Sequence, residues 1–348
     1  MGKSSNRSHA MEEVIEAIDQ VEFRPRYPLA RIGDFFEEHL FYMGFHKMLL
    51  YAMPSLTVRG NPYPPYCREL VLEASDGAPL PAIIALKDGE VRPGVVLVHG
   101  FLQAKFCDFY AMLLRLFHEK WGYNVMVFDM RGWGESQRYS AALPTGCWKE
   151  AEDIQAAARY LGGLPEVSRV GVLGYSYGCM SVLRAVSFPS EKQHITGGAM
   201  GFCGAVYNFA EWAEFASDLT NVNNLLPMLR YGIYMPMFFI KGKGRYVTPV
   251  GLMKRSERIE GISWKEMSES GSPGRHIRDA NVPTLAFHGE GDPLVPASMA
   301  RRLQDAAQGN PLVRIELKPG GHAFFLRDKD WMKTVIRAFF DQWARTGG

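Results

Sequence analysis

From Cys67 onward, short apolar runs alternate along the chain with longer amphipathic ones. The apolar runs are "RELVLEA" (68–74), "LPAIIAL" (80–86), "GVVLVHG" (94–100), "YNVMVFD" (123–129), "RVGVLGY" (169–175) and "TGGAMGF" (196–202). Each is strand-length and rich in β-branched or aromatic residues. Between them, "DFYAMLLRLFHEK" (108–120) and "WKEAEDIQAAARYL" (148–161) repeat apolar positions at helical spacing. Nearly continuous apolar strands separated by helices indicate a mostly parallel sheet buried on both faces. The order predicts a doubly wound α/β fold.

The alternation stops near Asn208 and resumes at "VPTLAFHGEGD" (282–292) and "LVRIELKPGGH" (312–322), followed by a last amphipathic stretch, "WMKTVIRAFFDQWA" (331–344). The intervening residues 209–281, rich in Trp, Phe, Tyr, Met and Leu, are read as a helical cap over the sheet's carboxyl edge. Residues 1–66 are read as an N-terminal helical extension, closed by "RGNPYPPYC", whose prolines stop any helix. That leaves 67–208 and 282–346 as the α/β core. The extension is expected to serve either as a second piece of the cap or as a dimerisation surface.

Composition narrows the function classes. With 47% apolar and 22% charged residues and a formal net charge of +2, the chain has ordinary globular composition and no basic block, so no nucleic-acid partner is expected. Five cysteines without a C-x-x-C pair suggest neither a disulfide framework nor a zinc site, and favour a reducing, cytoplasmic location. The histidines show no metal-ligand spacing, so no metal or cofactor is implied. Two apolar segments, 34–53 and 224–240, are interrupted by charges or prolines and do not read as membrane spans. Contact with a bilayer surface is left open but not favoured. His39 and His46, seven apart, read as a half-buried helical stripe.

In open α/β sheets, ligands sit beyond the carboxyl ends of the strands. Those positions here hold His99, Asp129, Ser176, Asn208, Asp292 and His322. Ser176 lies in Gly174-Tyr175-Ser176-Tyr177-Gly178, between a strand and the helical run "CMSVLRAV". This arrangement resembles the nucleophile elbow of the α/β-hydrolase family, in which the glycines permit close strand–helix passage. The family's order of serine, acid and histidine is also present. "HGEGDPLVP" (288–296) resembles its acid loop, with Asp292 at the acid position and Glu290 the weaker alternative, while "GGHAFF" (320–325) resembles its histidine loop, with His322 as base. An acid near Asn208 is the family's other option, but no carboxylate occurs there before Glu211. His288 is read as structural.

The resemblance further implies an oxyanion hole made by the backbone N–H groups of Phe101 and Tyr177, and substrate contacts from Tyr175 and His99. Phe101, Tyr175 and Tyr177 are expected to line an apolar mouth, with core filling as the alternative for any of them. "FDMRGWGES" (128–136) is similar to the family's supporting loop, where Asp129 and Arg131 serve structure. The expected activity is hydrolysis of an apolar small-molecule ester through an acyl-enzyme on Ser176. A thioesterase or acyltransferase with the same triad is the alternative, and a non-catalytic binding protein a further one. A homodimer is left open.

Overall fold

In the computed structural model of the chain, residues 2–25, 61–101, 103–139, 144–217 and 256–346 are described. The two apolar segments 34–53 and 224–240, His39 and His46 lie outside them. Among the described residues eight strands form one sheet: β1 (Arg68–Glu73), β2 (Pro79–Ala85), β3 (Arg92–Val98), β4 (Asn124–Phe128), β5 (Val167–Tyr175), β6 (Ala199–Phe202), β7 (Thr284–Gly289) and β8 (Val313–Lys318). Their order is β1-β2-β4-β3-β5-β6-β7-β8. β1 pairs antiparallel with β2 and β2 with β4, and every later pairing is parallel. The α-helices among the described residues are α1 (Gly2–Asp19), α2 (Asp108–Arg115), α3 (Trp148–Gly162), α4 (Tyr177–Ala185), α5 (Phe209–Ser217), α6 (Trp264–Gly271), α7 (Ala297–Ala307) and α8 (Lys329–Phe340). The run expected as one helix over 108–120 loosens after Arg115, and the Trp121 N–H reaches back five residues to the Leu116 carbonyl.

The sheet separates two cores. Val96, Val98, Met126, Phe128, Val172 and Ala286 face one side, and their neighbours Val95, Leu97, Val125, Val127, Leu173 and Phe287 face the other. The two-residue strand period therefore feeds both faces, which is why the central strands carry almost no polar residue. At the edge, β1 exposes Val71. α1 buries Ala10, Met11, Val14 and Ile18 in the same core as α8.

The segment between β6 and β7, expected as an inserted cap, is described at its two ends, where it holds α5 and α6; residues 218–255 lie outside the described part. α6 begins at a capping box in which the Ser263 hydroxyl accepts from the Glu266 N–H and the Glu266 carboxylate accepts from the Ser263 N–H.

Charged groups bind the first hairpin to α3. Arg131, fully buried, donates to Asp153 (Nε–Oδ2 2.8 Å, Nη2–Oδ1 2.5 Å) and to Asp76 (Nη1–Oδ2 3.0 Å). The Lys149 ammonium bridges Asp76 (3.0 Å) and Glu260 (2.5 Å). Partial burial works to raise the Asp76 pKa, but hydrogen bonds and charge from Arg131 and Lys149 outweigh it and hold the carboxyl well below its ordinary range. In the unfolded chain this group takes a proton near pH ~4. Its contribution to stability is therefore complete above that pH and is lost as pH falls toward the lower folded-state value. Asp76→Asn is expected to lower the urea midpoint at pH 7, with the gap to the unsubstituted protein closing below about pH 4. A gap that stays constant down to pH 3 would contradict this account.

Candidate active site

Ser176 follows the last residue of β5 and precedes the first of α4, with φ 52° and ψ −117°. That conformation is strained for a residue with a Cβ, by about 1–3 kcal/mol, and persists only where its surroundings impose it. Here the Ser176 N–H donates to the Phe202 carbonyl (2.8 Å), and its own carbonyl accepts from the Met180 N–H (3.0 Å). Three glycines make room. A Cβ at Gly174 would stand 2.5 Å from the Gly178 oxygen, and one at Gly178 would stand 2.4 Å from the Val98 oxygen. A Cβ at Gly204 would stand 2.1 Å from the Ser176 oxygen. Gly204 was not singled out in the sequence, because it lies outside the G-x-S-x-G pattern and acts across strands.

The three predicted triad residues meet. The Ser176 Oγ lies 2.9 Å from the His322 Nε2, and the His322 Nδ1 lies 2.7 Å from the Asp292 Oδ2. Asp292 is held in turn by N–H groups of Leu294 (2.8 Å) and Val295 (3.0 Å), both on Oδ1. With a carboxylate on Nδ1, that nitrogen carries the proton and Nε2 is left to accept from the hydroxyl. The acid and histidine loops touch backbone to backbone: the Gly291 N–H donates to Gly320 (2.9 Å), and a Cβ at Gly289 would stand 2.4 Å from the Gly321 oxygen. Glu290, the weaker candidate, is exposed, and the carboxylate on the His322 Nδ1 is that of Asp292; Glu211 pairs with Arg302.

His288 is structural, as read. Its Nε2 donates to the Val295 carbonyl (2.9 Å) and its Nδ1 accepts from the Ala205 N–H (3.4 Å), so the ring supports the acid loop. Burial lowers its pKa, against the opposing pull of Asp292 3.6 Å away, and keeps it neutral.

The N–H groups of Phe101 and Tyr177 have no hydrogen-bond partner among the described residues. Tyr177 opens α4, whose first N–H groups lack intrahelical acceptors. Phe101 follows Gly100, whose Cβ position would lie 3.3 Å from the Ser176 Cβ, so this turn runs alongside the nucleophile. The turn is fixed by the Gly100 N–H, which donates to the Gln103 Oε1 (2.9 Å) and the Tyr110 hydroxyl (3.1 Å). Gln103 is a supporting residue that no sequence motif flagged. Beyond it, buried Lys105 joins Asp129 (2.9 Å) and Glu135 (2.5 Å), tying this loop to the one after β4.

Three side-chain expectations are corrected. His99 was expected to contact substrate, but it is fully buried, its Nδ1 bonded to the Gly100 carbonyl (2.8 Å) and its Nε2 to the Met130 N–H (3.0 Å). Both nitrogens are spent on backbone, and burial lowers its pKa. Tyr175 is buried as well. It shares the sheet face of Leu173, where its ring stacks on Phe202 (5.4 Å). The Tyr177 side chain runs between helices, donating to the Glu150 Oε1 (2.8 Å) and accepting from the Cys147 N–H (3.3 Å). Phe101, also expected at the mouth, is partly exposed, at the edge of an aromatic cluster: its ring lies 4.6 Å from Trp133, 5.8 Å from Tyr177 and 6.1 Å from Trp212. Trp212 donates to the Leu294 carbonyl (3.0 Å), joining α5 to the acid loop.

A serine on a strained strand-to-helix turn, backed by a carboxylate from the loop after β7 and a histidine from the loop after β8, is the arrangement that defines the α/β-hydrolase fold's site. Residues 95–334 match the Alpha/beta hydrolase family, and the chain belongs to it. It is 26% identical over 260 residues to the mouse serine hydrolase BPHL and 25% to the human protein, covering 72% of this chain and 80% of each relative. Among solved structures, an esterase from Pyrococcus furiosus superposes with a TM-score of 0.57 at 18% identity, over 80% of this chain and 93% of the esterase. A puromycin-hydrolyzing peptidase of Mycobacterium tuberculosis gives 0.54 at 21% identity, over 80% and 40%. At these identities the structures speak for the fold alone. No helix among the described residues is long and apolar enough to cross a membrane, and no group of three potential metal ligands occurs among them.

Proposed function

We propose that this chain is a serine hydrolase that cleaves a carboxylic ester of an apolar small molecule through an acyl-enzyme on Ser176. The observation that carries the proposal is the hydrogen-bonded series from Ser176 through His322 to Asp292, at 2.9 and 2.7 Å. His322 accepts the hydroxyl proton at Nε2 as Oγ adds to the ester carbonyl, and returns it to the departing alkoxide. Water, deprotonated by the same nitrogen, then releases the acid. Asp292 holds the ring tautomer and stabilises the imidazolium. The Phe101 and Tyr177 N–H groups are the donors for the oxyanion, a contribution worth about 3–4 kcal/mol per donor in sites of this kind. The esterase and serine hydrolase among the similar proteins support this reading.

The aromatic cluster at Phe101, Trp133 and Trp212 supports an apolar acyl or alcohol group. Each methylene buried there is worth about 0.8 kcal/mol, so kcat/KM for p-nitrophenyl esters is expected to rise about fourfold per carbon from acetate until the site is filled. A flat series would remove the apolar-substrate claim. A fluorophosphonate probe is expected to modify Ser176, located by peptide mass spectrometry. An unmodified Ser176 would remove the serine-hydrolase claim.

A further inference from the structure

We propose that the N-terminal segment is a positioning element for the base His322, a role that rests on the serine-hydrolase reading and lies outside the family match at 95–334. His322 stands on the loop between β8 and α8. The side of that loop nearer β8 is secured by the acid loop through Gly320. The side nearer α8 turns immediately at Phe324, whose N–H donates to the Gly321 carbonyl (3.1 Å) and whose ring is fully buried. Phe23 forms part of the wall against that ring. Its own ring meets Phe324 edge-on (5.7 Å, 82°) and Trp331 at 4.9 Å.

The next residue adds a polar tie. Asp328 caps α8 by accepting the Trp331 N–H on Oδ1 (2.9 Å), and its Oδ2 accepts the Arg24 N–H (2.8 Å). One carboxylate thus holds both the start of α8 and the N-terminal segment. α1 delivers the pair, since its buried Ala10, Met11, Val14 and Ile18 dock it in the core shared with α8. The result is a clamp on the two ends of a short stretch, Phe324 to Asp328, that begins two residues beyond His322.

The physical consequence follows from how sharply proton transfer depends on distance. Misplacing a catalytic group by 1 Å can cost about 100-fold, while ground-state binding is little changed. Loosening one wall of the histidine loop is therefore expected to lower kcat and spare KM.

In the full chain, Phe23→Ala is expected to reduce kcat for a p-nitrophenyl ester about tenfold with KM within about twofold, and Phe23→Tyr to restore it. In a His322→Ala background, the same Phe23→Ala change is expected to alter the rate of fluorophosphonate labelling by less than about twofold, because the residue it positions is gone. Should Phe23→Ala not fold, Phe23→Leu carries the same test, with a drop of about threefold that again vanishes without His322. An unchanged kcat, or a labelling rate that falls as far in the His322→Ala background as kcat falls in the full chain, would overturn the positioning role while labelling of the unsubstituted protein leaves the hydrolase reading standing. Failure of the unsubstituted protein to label would sink that reading, and this one with it.

Discussion

Ser176→Ala is expected to lower kcat by at least about 10⁴-fold while leaving the thermal unfolding midpoint nearly unchanged. The change removes one oxygen, whose hydrogen-bond partner is His322 (2.9 Å). Alanine keeps the Cβ, so the strained φ of 52° and the glycine clearances around it are the same in both proteins. Stability and catalysis are therefore separable at this position. Because the hydroxyl, imidazole and carboxylate act as one unit, Ser176→Ala combined with His322→Ala is expected to be no slower than Ser176→Ala alone, within about threefold. Steady-state turnover of a p-nitrophenyl ester, with calorimetry on the same samples, checks both statements. Turnover that survives the single substitution would mean that another group attacks the ester.

Arg131→Met is expected to have the largest effect on stability, about 3–5 kcal/mol by urea unfolding. The guanidinium is fully buried and satisfies two carboxylates, one of which, Asp153, is itself fully buried. Removing the cation strands the Asp153 charge in the core, or forces it to take up a proton, and either outcome costs more than the pair's own attraction returns. The test of that logic is a second substitution. Arg131→Met with Asp153→Leu removes the stranded charge and is expected to recover roughly half of the loss. A single variant costing less than about 1 kcal/mol would show that water reaches this pair. Activity should follow stability here, since neither residue touches Ser176 or His322.

The two classes of prediction draw on different kinds of legibility. The strand runs at 94–100, 123–129 and 169–175 could be read because a parallel sheet buried on both faces must be apolar at every position. Ser176 could be read because its turn leaves a local trace: glycines two residues to either side, each demanded by a backbone closer than a Cβ allows. Asp292 and His322 could be read from loop resemblance, and Asp292 over Glu290 from its flanking Pro293, Val295 and Pro296. In each case the signature is carried within about ten residues, even where the atom that demands it, such as the Val98 oxygen beside Gly178, is distant in the chain.

His99, Tyr175 and Tyr177 show where that ends. Each sits beside a site residue in the chain, and each was expected at the site, but adjacency in sequence says nothing about direction. Alternation along β5 separates Tyr175 from Gly174, yet which sheet face carries α8 and which carries α3 is a property of crossovers many residues away. Tyr177 turns toward Glu150 because α3 happens to pack there. Gly204 and Phe23 belong to the same class, since what constrains Gly204 is the Ser176 carbonyl and what surrounds Phe23 is a ring pair about 300 residues on.

Residue order and local pattern thus dictated the sheet, the nucleophile and the identity of its two partners, since each is enforced by contacts short in sequence or by a motif. The direction of every side chain around them, and the seating of the N-terminal segment against the histidine loop, emerged when distant pieces packed. Close packing lets a buried group point only where a neighbour leaves room, and those neighbours are supplied by the folded chain.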